Sequence, residues 1–288
     1  MLSIVRIFCD LFVRIAPRRL RGILRAAKGN DTFERYRKEH VSHLTKEIRH
    51  FSDNLVQNGP FSGMILSSDE SWGDFGSKLL GTYEADLFDT FEDIVMHSVD
   101  VIIDVGAAEG YYAVGLGLRI PSCPIYAYDI SNAAQNACRV NLEINGLSFR
   151  STVSGLCTVE TLIDLASRFQ RPLVFLDCEG AELNLLRGAK HALMNTRLIV
   201  ECHDFVNAGT TDEIMSCFNE SHSIRLVKQG SRNPHDIPLI RNWSETDKWL
   251  IISETRPVSM HWLDMTPLNR SGHVSGAEFG SRPNEQSA

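Results

Sequence analysis

From about residue 60 onward, short apolar runs alternate with longer segments of helical spacing, and this alternation restricts the fold more than any other feature. A run of four or five apolar residues is buried on both sides only when helices cover it, so repeated β-α units building a parallel sheet are expected. Residues 101–105, 125–129, 149–153, 173–177 and 198–201 read as strands, with 224–228 and 248–252 completing a sheet of seven. Residues 110–120, 131–144 and 181–195 read as the helices between them. The expectation is an α/β protein with a doubly wound, mostly parallel seven-stranded sheet over 61–270, preceded by a helical extension at 1–60.

Four of these strands finish in an acid: Asp104, Asp129, Asp177 and Glu201. Each alone is explained as a cap on a following helix. Together they point to a site, because ligands of an open parallel sheet bind outside the carboxyl ends of its strands. After the first strand comes Asp104-Val-Gly106-Ala107-Ala108-Glu109-Gly110-Tyr111-Tyr112. Gly106 and Gly110 let the backbone turn tightly and approach a ligand. The spacing lacks the G-x-G-x-x-G of a dinucleotide site, which counts against a nicotinamide-dependent oxidoreductase. Asp129, at the end of the next strand, suits the two hydroxyls of a ribose. Adenosine without a diphosphate fits best, and S-adenosylmethionine meets that description, its ammonium and sulfonium suiting carboxylates such as Asp104 and Glu84.

The formal charge of −7 disfavours broad binding to nucleic acid, which is held by clustered Lys and Arg. Seven cysteines, odd in number and without a CxxC pair, argue against a disulfide framework or zinc site and fit a reducing, cytoplasmic setting. Residues 1–28 form a basic amphipathic pattern, with Arg6, Asp10, Arg14 and Arg18 on one helical face and too little uncharged length to span a bilayer. Packing on the catalytic domain, peripheral membrane contact and a transit peptide are all compatible with it. Residues 271–288 have almost nothing to bury, so a disordered tail is expected.

The segment Leu-Val-Phe-Leu-Asp177-Cys178-Glu179-Gly180-Ala181-Glu182, followed by a helix and then Leu-Ile-Val-Glu201-Cys202-His203, resembles the FkbM-type methyltransferases. In that family a strand ends in Asp-x-Glu-Gly-Ala-Glu and the next in Glu-x-His. The glycine turn resembles the family's Asp-x-Gly-Ala-Asn-x-Gly-Tyr, with Ala108 standing where the family has Asn. Gly81-Thr82-Tyr83-Glu84 and Glu254-Thr-Arg256-Pro257 resemble a bacterial branch of such proteins. The resemblance implies a class I, Rossmann-like methyltransferase fold with S-adenosylmethionine as cofactor. It places Glu84, Asp104, Gly106, Ala107, Gly110, Tyr111, Asp129, Ile130 and Ser154 around that cofactor. The implied reaction is O-methylation of a small molecule, sugar or glycolipid.

In-line methyl transfer needs little from the protein beyond positioning, though an alcohol acceptor benefits from a general base. Asp177 and His203 are the candidates, with Glu179 beside them. The same neighbourhood offers a second reading, in which Asp177, Glu201 and His203 hold magnesium or manganese. For Glu182 a bland role, accepting backbone N–H groups at a helix start, competes with catalysis. Cys178 and Cys202 read as small apolar residues, and the tryptophans 72, 243, 249 and 262 as core packing more than acceptor pocket. A non-catalytic scaffold or cofactor sensor on the same fold is the competing function.

Overall fold

A computed structural model describes residues 18–67, 74–254, 256 and 258–268. The stretches 1–17 and 269–288, carrying most of the proposed membrane-contact segment and the whole proposed tail, lie outside the described residues, as does Trp72. Seven strands form one sheet in the order β3-β2-β1-β4-β5-β7-β6. They are β1 (Val101–Val105), β2 (Ile125–Tyr128), β3 (Ser151–Ser154), β4 (Pro172–Leu176), β5 (Arg197–Glu201), β6 (His222–Lys228) and β7 (His261–Pro267). The first five run parallel, while β7 lies antiparallel between β5 and β6. This is the doubly wound, mostly parallel sheet that the alternation implies.

The helices of the described residues are α1 (Arg18–Ser52), α2 (Phe75–Leu80), α3 (Phe88–Met96), α4 (Tyr111–Arg119), α5 (Asn132–Ile144), α6 (Val159–Arg168), α7 (Glu182–Ala189), α8 (Thr210–Phe218) and α9 (Glu245–Ile251). Local chemistry fixes several of their starts. Ser131 and Thr158 cap α5 and α6 by accepting the backbone N–H groups of Ala134 and Thr161. Every residue of β1, β4 and β5 is buried, because helices cover both faces. One core, containing Ile102, Leu173, Phe175 and Ile199, lies on one face, and another, containing Ile103, Val174, Leu176 and Val200, on the other.

The last strand differs from the sequence expectation. Residues 248–251 are helical, within α9, and the seventh strand is β7 instead, inserted between β5 and β6. Ser244 accepts the N–H of Asp247, and Glu245 and Asp247 in the first turn complement the helix dipole. Asp264 breaks the apolar run of β7 and hides it in sequence. In the fold its carboxylate meets Arg197 at 2.6 Å and Arg225 at 2.8 Å, which makes a buried acid tolerable in a central strand.

The boundary expected near residue 60 is not a gap in packing. Leu44 and Ile48 of α1 and Val56 beyond it belong to the same core as Ile102 and Phe175. His40 adds a contact of 2.6 Å to Asp247 on α9. No helix among the described residues is long and apolar enough to cross a membrane. The six described cysteines are free thiols.

Candidate cofactor and active site

In the sheet order the chain runs outward from β1 to β3 on one side and from β4 to β5 on the other, so the topology reverses between β1 and β4. A crevice forms outside the carboxyl ends of strands at such a reversal. There the structure opens a cavity of about 790 Å³. Gly106 ends β1 in the left-handed region at φ +86°, and a Cβ placed there would stand 1.7 Å from the carbonyl oxygen of Asp177. Glycine thus lets the turns after β1 and β4 touch.

One half of the cavity is built from the ends of β1, β2 and β3. Gly106, Ala107, Ala108, Tyr111, Asp129 and Ile130 line it. Asp129 Oδ2 accepts the N–H of Ala108 at 2.9 Å, and Oδ1 accepts that of Ser131 at 2.8 Å. Each carboxylate oxygen keeps further lone-pair capacity for two ribose hydroxyls. Ile130 and Leu156, 81% and 70% exposed, are large apolar side chains held out in solvent at this wall.

The remaining predicted cofactor residues lie behind this wall. Asp104 is buried, and its Oδ2 accepts the N–H of Ala113 in the first turn of α4. Burial raises its carboxyl to about 8, against the lowering effect of that bond. Gly110 precedes α4 in the left-handed region, and Ser154 contributes its carbonyl to the N–H of Asp129. Glu84 sits below, its carboxylate held between Arg256 and the hydroxyl of Tyr112.

The other half is assembled from the ends of β4 and β5. Asp177, Glu179, Glu201 and His203 all line the cavity. His203 Nε2 stands 3.4 Å from Glu179, 3.5 Å from Glu201 and 3.7 Å from Asp177 Oδ1. Its Nδ1 is 2.8 Å from Glu182 Oε1, although the ring N–H is poorly aligned with that oxygen. Glu182 also accepts the N–H groups of Cys178 and Gly180, so the bland and the functional readings both hold for it. Burial alone would lower the His203 pKa, but Glu182, Asp177 and Glu179 override it and hold the ring above its ordinary value. Burial raises Asp177, and burial and Asp177 raise Glu201, so these neighbouring acids tend to share a proton. The guanidinium of Arg256, paired with Glu201, opposes that rise.

Among the lining residues not singled out as site candidates from sequence are Lys78, Glu109 and Arg256. Lys78 sits in the apolar hexapeptide of α2, where a lone lysine facing inward leaves no periodic trace. Arg256 lies in the Glu-Thr-Arg-Pro stretch noted above, and the fold brings Glu254 and Arg256 of that stretch onto Glu84. The Glu254 carboxylate accepts the N–H of Glu84 at 2.6 Å. Of the described tryptophans, none lines the large cavity, and Trp262 packs on Phe175 in the core.

The strand order with its antiparallel seventh strand, and a cavity at the β1/β4 reversal, define the class I methyltransferase fold. No family model matches the chain, and no curated protein matches its sequence. Solved structures with a similar fold include a human methyltransferase 10 domain containing protein, with 12% identity over 77% of this chain and 96% of that one and a TM-score of 0.45. A precorrin 8w decarboxylase from Methanobacterium thermoautotrophicum shares 20% identity over 62% and 89% of the two chains, with a TM-score of 0.42. A tRNA methyltransferase of B. subtilis shares 13% over 61% and 64%, with a TM-score of 0.40.

Proposed function

We propose that this chain is an S-adenosylmethionine-dependent methyltransferase of FkbM type that methylates a hydroxyl of a small molecule, sugar or glycolipid. The observation that carries the reading is Asp129, a cavity-lining carboxylate at the end of β2, set between the glycine turn and the exposed Ile130 and Leu156. That combination suits an adenosine with free ribose hydroxyls and offers no pyrophosphate cradle. The cofactor, when bound, supplies a methyl group already activated by a sulfonium.

The chain's own contribution is to orient the acceptor and take its proton. Asp177 Oδ1 is buried without a hydrogen-bond partner and faces His203 Nε2. Its raised pKa makes it a stronger base than a surface carboxylate, and Oδ1 is the atom that receives the acceptor's hydroxyl proton. His203, drawn toward its imidazolium form by Glu182, places a positive charge 3.7 Å from that oxygen. Glu179, 80% exposed at the mouth, meets the acceptor from the solvent side.

Calorimetric titration with S-adenosylmethionine, S-adenosylhomocysteine and NAD tests the reading. Binding of the first two and not the third is expected, and binding of NAD alone would overturn it. With an acceptor in hand, Asp177→Asn lowers turnover far more than cofactor affinity. A second reading has one observation in its favour: Asp177, Glu201 and His203 offer donor atoms within 4.8 Å of one another, a set suited to a divalent cation. Arg256 on Glu201 and a protonated His203 compete with that cation. Titration of magnesium alone decides, since this reading requires heat of binding that Asp177→Asn abolishes.

A further inference from the structure

Lys78 and Glu109 form a charge pair at the wall of the cavity and are among its most deeply buried polar side chains, with 5% and 0% of their surfaces exposed. They come from different places, the six-residue α2 and the turn after β1. Lys78 Nζ meets Glu109 Oε1 and lies over the rings of Tyr83 at 4.7 Å and Tyr111 at 5.6 Å. Glu109 is further fixed from behind, because its backbone carbonyl accepts from Asn141.

The pair is unequally satisfied. Glu109 Oε2 is buried and has no hydrogen-bond partner. A buried carboxylate oxygen left without a donor is costly, and such an atom at a cavity wall requires an explanation. Close by, behind the wall, Asp104 Oδ1 is likewise buried and unpartnered. A ligand group carrying several N–H donors and a positive charge would answer the Glu109 oxygen, which lines the cavity. Beside it, the Lys78 ammonium favours a negative group. A cation and an anion one bond apart from a common carbon is the charge pattern of an α-amino acid.

We propose that Lys78 and Glu109 anchor the α-amino acid end of the bound cofactor, Glu109 Oε2 accepting from its ammonium and Lys78 pairing with its carboxylate. This rests on the methyltransferase reading and deepens it. Glu109 also acquires a purpose in a glycine turn whose preceding Ala108 departs from the family pattern. The rings of Tyr83 and Tyr111 enclose Lys78 and limit water at that end of the cavity. The adenosine end, held at Asp129, is independent of the pair.

The test compares two nucleosides by calorimetry on the full chain: S-adenosylhomocysteine, and 5′-methylthioadenosine, which keeps the adenosine and sulfur but has no amino acid. The wild type is expected to bind the first at least tenfold more tightly. In the charge-balanced double variant Lys78→Met/Glu109→Gln that preference collapses, while affinity for methylthioadenosine stays within about twofold and reports an intact fold. Equal binding of the two by the wild type overturns the anchor and leaves the cofactor reading standing. Unchanged preference in the double variant does the same. If neither nucleoside binds the wild type, the cofactor reading falls and the anchor with it. Should the double variant not fold, the N-acetyl and methyl ester derivatives of S-adenosylhomocysteine carry the test on the wild type. The anchor requires each to bind at least tenfold more weakly than the parent.

Discussion

The two halves of the cavity are built on different plans. Around β1 to β3 the wall is a glycine turn, one solvent-accessible carboxylate and exposed aliphatic side chains, and residues close in sequence do the work: Gly106, Ala107 and Ala108 in one turn, Asp129 and Ile130 in another. Around β4, β5 and Arg256 it is a dense charge network, in which Glu84, Glu201 and Glu254 converge on Arg256, and Asp177, Glu179, Glu182 and Glu201 surround His203. A fixed ligand such as an adenosine needs few contacts of constant kind. Moving a proton needs groups whose ionisation is set by their neighbours, and that takes charges from distant parts of the chain.

If the halves differ in this way, substitutions in the charged half should act mainly on stability and its pH dependence, and those in the other half mainly on binding. The largest effect is expected for Glu182→Gln, which removes a buried charge from its imidazolium and backbone partners and should cost about 3 kcal/mol in denaturant unfolding. The pH profile sharpens this. Burial would raise Glu182, but His203 and the Gly180 N–H win and hold it low, so its contribution is lost as pH falls through that lowered value. His203 is held above its ordinary pKa, so its contribution is complete below about pH 6.5 and lost as pH rises through the raised value. Wild-type stability from this pair therefore peaks between the two ordinary pKa values, 4.5 and 6.5, and declines on the alkaline side. Glu182→Gln should flatten that decline, and an unchanged slope would remove the pair from the account.

Next in size is Asp129→Ala in the other half. It should weaken S-adenosylmethionine binding by roughly 1.5 to 3 kcal/mol through lost charged hydrogen bonds, with a much smaller change in unfolding free energy. A loss of stability as large as the loss of affinity would erase the distinction between the halves. The smallest effect belongs to Ala108, which sits in the left-handed region at φ +47°. Asparagine tolerates that conformation better than alanine, so Ala108→Asn should raise the melting temperature through a gain of about 0.5 kcal/mol and leave cofactor affinity intact. A fall in melting temperature would mean that the turn has adapted to alanine.

The contrast also explains what was legible along the chain. The strand ends Asp104, Asp129, Asp177 and Glu201 stand out because a carboxylate closing an apolar run is conspicuous in one dimension. Asp129, Asp177 and Glu201 do line the cavity. Asp104 and Glu84 were expected at the rim, yet both lie behind it, since burial depth depends on which helix packs over a turn and not on the turn's own residues. The strand expected at 248–252 shows the same limit. Trp249, Leu250, Ile251 and Ile252 suit a helix or a strand equally, and the Ser244 cap and the need to fill the gap between β5 and β6 with β7 decided the outcome.

Sequence by itself determined the layered α/β plan, four of the strands to within a residue, and the glycine turn after β1, whereas the strand expected at 149–153 begins only at Ser151, after a 3-10 turn over Ser148–Arg150. These follow from apolar periodicity and from backbone conformations that only certain residues adopt, and both are local properties. Tertiary structure alone decided that Lys78 meets Glu109, that Arg256 joins Glu84 to Glu201, and that Glu182 reaches back to His203. Pairing between charges depends on distance in space and on the water excluded around them, and neither quantity is written in the spacing of residues along a chain.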